Sequence, residues 1–109
     1  TILKRVVSSV LTGISDESVG NPEGFRLYQN YPNPFNPDTM IRFSLPYATF
    51  VNLEIFNLLG EKVADLIHEE RTAGEHTIPF HASALSAGIY LARLSAGGNT
   101  SIIRMALLR

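Results

Sequence analysis

Residues 39–45 read TMIRFSL and residues 51–55 read VNLEI. In the first stretch Ile41, Phe43 and Leu45 fall on one side, and Met40, Arg42 and Ser44 on the other. In the second, Val51, Leu53 and Ile55 alternate with Asn52 and Glu54. A period of two marks a strand with one buried face, because successive Cβ atoms point to opposite sides of a sheet. The same texture continues along the chain. Leu58-Leu59-Gly60-Glu61 predicts a hairpin turn, with Gly60 supplying a positive φ. Residues 61–67 then return as a strand, and Glu69, Glu70 and Glu75 around Arg71 read as a solvated loop. His76, Ile78 and Phe80 share one face of the next strand. IYLARL at 89–94 follows Gly88, and Gly97-Gly98-Asn99 predicts a tight turn into residues 101–108. With residues 25–29 as an opening strand, the count is about seven, at the spacing of an antiparallel β-sandwich. Only ASALSA at 82–87 suggests a short helical turn.

Composition agrees with one small folded domain and a tail. The chain has 109 residues, 45% hydrophobic and 17% charged, with a formal net charge of −1. That balance exerts no bulk pull on nucleic acid or anionic membrane, and the basic residues are scattered rather than clustered. There is no cysteine, which excludes disulfides, thiolate zinc sites and cysteine catalysis but leaves the compartment open. Apolar runs are too short for a transmembrane helix. Residues 1–13 (TILKRVVSSVLTG) read as the last element of an upstream domain or a stray strand, because Lys4, Arg5, Ser8 and Ser9 interrupt any signal-peptide core. Residues 14–24 (ISDESVGNPEG) read as a linker. The expected division is 1–24 for that upstream end and linker, and 25–109 for the domain.

Between the first two strands lies NYPNPFNPD, residues 30–38. Pro32, Pro34 and Pro37 lack amide donors and fix φ, so this stretch cannot pair inside a sheet. Asn30, Asn33 and Asn36 are placed to bond local backbone through Asx-turns. The expectation is a stiff loop pinned to the sandwich by Tyr31 and Phe35. Ring-mediated binding of a peptide or sugar is a second reading. A calcium site built on Asn33, Asn36 and Asp38 is a third, weakened by its single carboxylate.

Catalytic signatures do not emerge. There is no Gly-rich phosphate loop and no His-Glu-x-x-His motif. His76 and His81 sit five apart on strand-like sequence, so they face opposite sides and do not form a metal pair. His76 is expected at the core edge, with a ring nitrogen bonded to backbone. Asn99-Thr100-Ser101 matches a glycosylation sequon of only three residues. No nucleophile–base constellation is visible, so the reading is noncatalytic, without cofactor or metal.

The run LYQNYPNPFNPDTMIRFSLP at residues 27–46 resembles the type A C-terminal sorting domain of bacterial type IX secretion cargo. Its most specific part is Asn33, Pro34, Phe35, Asn36 and Pro37. Later signposts follow in order: Leu59-Gly60, Ala73-Gly74-Glu75-His76, Leu85-Ser86-Ala87-Gly88-Ile89-Tyr90, and Arg104-Met105-Ala106-Leu107-Leu108-Arg109. The resemblance spans residues 25–109. It implies an immunoglobulin-like fold and an export address at the C-terminus of a secreted multidomain protein. It implies passage through the periplasm and the outer-membrane secretion machinery, to the medium or the cell surface. It also implies removal by a sortase-like peptidase, for which the linker at 14–24 is the accessible place. By that resemblance, Arg104, Met105, Ala106, Leu107, Leu108 and Arg109 carry recognition, and Gly60, Gly74, Gly88 and Tyr90 belong to the structural motif. The chain departs from the family pattern at His81, where Asp is common, and at Arg109, where Lys is common.

The last strand invites a physical reading of its own. Alternation puts Ile103, Met105 and Leu107 on one face and Ile102, Arg104, Ala106 and Leu108 on the other. An edge position would expose amides and carbonyls to strand addition by a partner. Two rivals remain. A carbohydrate-binding module would need coplanar exposed rings among Tyr28, Tyr31, Phe35, Tyr47, Phe50 and Phe56. A structural spacer or dimerising module would need a long apolar edge.

Overall fold

A computed structural model describes residues 24–109. The upstream strand and linker expected within residues 1–23 lie outside the described residues. Seven strands follow in order: β1 (Arg26–Leu27), β2 (Asp38–Leu45), β3 (Thr49–Asn57), β4 (Lys62–Arg71), β5 (Gly74–His81), β6 (Gly88–Ala96) and β7 (Asn99–Leu107). They form two antiparallel sheets, β1-β2-β5 and β4-β3-β6-β7. The described residues therefore form an all-β sandwich, as the alternating sequence predicts.

The faces are those expected from the pattern. Ile41, Phe43 and Leu45 of β2 meet Val51, Leu53 and Ile55 of β3 between the sheets. Ala92 and Leu94 of β6 and Met105 and Leu107 of β7 complete that layer. Each fully buried large side chain contributes about 1.5–3 kcal/mol relative to exposure, so the alternation fixes which face turns inward. Phe80 is buried on the same side of β5 as His76 and Ile78, which are half-buried. His76 stacks on Phe43 at 5.2 Å and bonds the Thr72 carbonyl through Nε2 at 2.8 Å.

Two boundaries differ from the sequence reading. The opening strand is only two residues long. Tyr28 still donates to the Arg42 carbonyl at 2.9 Å, and the chain then leaves the ladder for the proline loop. Conversely, β4 runs on through Glu69 and Glu70 to Arg71, pairing with residues 49–51. These charges looked like a loop because β4 is an edge strand with a wet outer side, where charged residues discourage further pairing.

The turns meet their steric demands. Gly97 and Gly98 both have positive φ (58° and 83°), as a two-residue hairpin between Ala96 and Asn99 needs. A Cβ at Gly97 would also sit 2.8 Å from the Tyr47 hydroxyl. Residues 82–85 form a single turn closed by the Leu85 amide on the Ala82 carbonyl at 3.0 Å.

Strand directions sort the connections into two ends. One end collects the proline loop, the 58–61 turn, residues 82–87, and Leu108 with Arg109. Pairings Asp38↔His81, Asn57↔Tyr90 and Gly88↔Leu107 set this grouping. The other end holds Gly24, the 46–48 connection, the 72–73 turn and Gly97-Gly98. Gly24 accepts from the Ser44 hydroxyl there at 2.8 Å.

Candidate functional site

The proline loop and the end of β7 are one structural unit. Chain segment 29–35 runs alongside β7 in the same direction, and Phe35 forms a parallel bridge with Leu107. The Phe35 amide donates to the Ala106 carbonyl at 2.9 Å, and the Leu108 amide donates to the Phe35 carbonyl at 2.8 Å. Asn33 Oδ1 accepts from the Ala106 amide at 2.9 Å. Gln29 Nε2 donates to the Arg104 carbonyl at 2.6 Å. The outward backbone groups at the end of the last strand, from the Arg104 carbonyl to the Leu108 amide, thus find partners in the loop, as hydrogen-bond accounting for a covered edge requires. The strand addition expected along residues 101–108 is corrected for its second half: from Arg104 to Leu108 the edge is already occupied by the loop.

The loop carries its own polar scaffold. Asn30, almost fully buried, donates from Nδ2 to the Pro32 carbonyl at 3.1 Å and to Thr39 Oγ1 at 3.0 Å. Thr39, equally buried, donates to the same carbonyl at 2.8 Å. An Asx-turn at Asn30 would need the amide of residue 32, which is proline and has none. Asn30 therefore acts as a donor, and the carboxamide oxygen of Asn33 is turned toward β7. The calcium reading loses its ligands by the same geometry. Asn33 Oδ1 faces an N–H, and Asp38 Oδ1 lies 2.9 Å from His81 Nδ1. Phe35 is a core residue at 1% exposure, packed 6.0 Å from Phe80. Tyr31 is not a pin: it is 80% exposed, and only its backbone pairs, with Met40.

The other motif residues converge on the same end. Gly88 opens β6 opposite Leu107, and Tyr90 donates its hydroxyl to the Ser86 carbonyl at 2.6 Å. Pro37 accepts from the Ala82 amide at 3.0 Å, tying the proline loop to the β5–β6 connection. Arg109 donates from Nη2 to the Ser83 carbonyl at 2.8 Å and to that of Leu85. Pro34 and Asn36 are exposed at the loop surface. Gly60 lies in the 58–61 turn at this end, whereas Gly74 opens β5 at the other, opposite Leu45.

Within residues 104–109 the roles divide. Met105 and Leu107 are core, Ala106 is half-buried, and Arg109 is bonded to a turn. Arg104 and Leu108 face solvent, Leu108 at 53% exposure. Arg104 has no carboxylate partner among the described residues. Its neighbours on the outer face are different. Arg93 binds Glu54 at 2.7 Å and lies 4.7 Å over the Phe56 ring, and Lys62 bridges Glu54 and Asp65. The Arg93 hydrogen bond holds the Glu54 carboxyl below its ordinary range, against a smaller opposing effect of burial. Bonding to Asp65 raises the Lys62 ammonium in turn.

The aromatic residues form no common platform. Tyr28 lies under Arg42 at 4.0 Å on the three-stranded sheet, and Phe50 and Phe56 belong to the four-stranded one. Tyr47 sits against Gly97 at the opposite end, and Phe35 is buried. Sequence reasoning passed over Gln29 and Thr39. The available signal was three amide-free prolines beside polar side chains, a loop whose carbonyls must find donors elsewhere.

The described residues thus form a small all-β sandwich in which the proline-rich loop and the last strand are locked together. The model of the secretion system C-terminal sorting domain family matches residues 29–107, and the chain belongs to that family. It carries a sorting signal for type IX secretion, which implies engagement with that machinery and a secreted or cell-surface destination. No curated protein matches the chain. No helix among the described residues is long and apolar enough to cross a membrane.

Proposed function

We propose that the secretion machinery reads the folded end of the sandwich, with Arg104 and Leu108 as its direct contacts in the terminal segment. The other four residues of 104–109 act by holding that segment in place. The carrying observation is the division of roles just described: within residues 104–109, a guanidinium without a carboxylate partner among the described residues and an exposed leucine stand beside four residues committed to the fold. This reading takes the domain as type A and immunoglobulin-like, following a passenger and crossing the periplasm before export. A sortase-like peptidase then cuts within residues 14–24 and releases or anchors the passenger. Residues 1–24 belong to the upstream end and linker, and 25–109 to the sorting domain.

Deleting the last strand would be a poor test, because it removes Met105 and Leu107 from the core. The better test fuses the full chain behind a periplasmic reporter in a bacterium with type IX secretion. Wild type should reach the medium or cell surface. The Arg104→Glu/Leu108→Ser variant should fold normally and stay in the periplasm. Full export of that variant would contradict the assignment of these two contacts.

A further inference from the structure

Leu58 and Leu59 occupy the tip of the β3–β4 hairpin, 66% and 84% exposed. Leu59 is the most exposed large apolar side chain among the described residues. The turn that displays them is tightly held. The Gly60 amide donates to the Asn57 carbonyl, and the Asn57 amide to the Glu61 carbonyl, both at 3.0 Å. Asn57 Oδ1 accepts from the Leu59 amide at 2.9 Å and the Glu61 amide at 3.0 Å, while Nδ2 donates to Glu61 Oε1 at 2.8 Å. Gly60 takes φ of 87°, closed to most other residues. The backbone geometry thus depends on Asn57 and Gly60, and nothing in it requires leucine at 58 and 59. Turn tips ordinarily carry polar residues, and the fold gains nothing from apolar ones in water.

The position of the turn narrows what covers it. It lies at the end of the sandwich that also holds Leu108, the proline loop and the 82–87 connection. The charges nearest the tip are engaged: Glu61 with Asn57, and Lys62 with Asp65 and Glu54. Among the described residues the tip itself carries no free cation, and an acidic side chain follows directly, so the charge at the tip disfavours a bilayer. A rigid apolar knob suits a shaped protein pocket, because no loop must be ordered on docking.

We propose that Leu58 and Leu59 insert into an apolar recess on a protein of the secretion machinery. They form a second contact beside Arg104 and Leu108, and the proposal rests on the sorting reading above. Two leucines cover too little area to bind alone, which is why the contact acts jointly with the terminal segment.

The test uses the same full-chain reporter fusion. Leu58→Ser/Leu59→Ser should leave the melting temperature unchanged and lower export by about tenfold or more, the scale of losing an interface anchor. Leu58→Met/Leu59→Met, still apolar, should retain export. Undiminished export of the serine variant beside an exported wild type would overturn the proposal and leave the sorting reading intact. Failure of the wild type itself, with the fusion folded, would overturn both. The purified chain should not co-sediment with phosphatidylethanolamine–phosphatidylglycerol vesicles. Co-sedimentation that depends on the two leucines would replace the protein recess with a lipid surface.

Discussion

The two edges of the four-stranded sheet solve one problem in opposite ways. Strand β7 is closed by a neutral loop that runs beside it and satisfies the backbone groups of Arg104, Ala106 and Leu108. Strand β4 at the other edge has no covering segment among the described residues. It carries Lys62, Asp65, His68, Glu69, Glu70 and Arg71 instead, and its register against β3 shifts twice. Charges and irregular register discourage unwanted pairing at little structural cost. A covering loop is more demanding, since it needs a core aromatic, two buried polar side chains and bonds between residues some seventy positions apart. That investment at β7 ties the two most distinctive sequence signatures, the proline run and the terminal run, into one folded object.

This contrast can be broken most severely at Phe35. Phe35→Ala empties a fully buried site between the loop, Phe80 and Leu107. It should destabilise the domain by about 3–5 kcal/mol in denaturant titration. Asn30→Ala comes next: it removes the amide that donates to both the Thr39 hydroxyl oxygen and the Pro32 carbonyl, which keep only their bond to each other, at about 1–3 kcal/mol for the two lost bonds. A smaller effect belongs to pH. Glu54 is depressed in the folded state, so its contribution is present above its ordinary value of 4.5 and is lost as pH falls through the lower folded value. Arg93→Met removes the main cause and should flatten the acid side of the stability profile by less than about 1 kcal/mol, because the pair is partly exposed. Glu70→Gln on β4 should change stability by no more than about 0.5 kcal/mol, since that edge depends on no single bond. A cost at Glu70 comparable to that at Asn30 would erase the distinction between the edges.

Much of this architecture is legible in the residue pattern. Strands β2 and β3 follow from alternation, and the apolar set of each faces inward, because a one-residue slip would turn it to water; β6 and β7 are marked by the glycines at their starts, and the structure decides which face of each is buried. Gly60, and Gly97 with Gly98, mark their turns for steric reasons. What does not show in the pattern is long-range or context-bound. The proline loop has no periodicity, so neither the bridge from Phe35 to Leu107 nor the exposure of Tyr31 can be read locally. The extension of β4 is masked because its charges suit a loop and an edge strand equally. For the site, the recognition segment follows from resemblance, but its division into two exposed and four committed residues depends on the fold.

The proline loop seals the end of the last strand, and amide hydrogen exchange along β7 is the sharpest probe of that seal. Alternation points the amides of Thr100, Ile102, Ala106 and Leu108 to the same outer edge, but the loop covers only the last two. Slow exchange is expected at Ala106 and Leu108, approaching that of core amides, and fast exchange at Thr100 and Ile102. Equal, fast exchange at all four would contradict the seal.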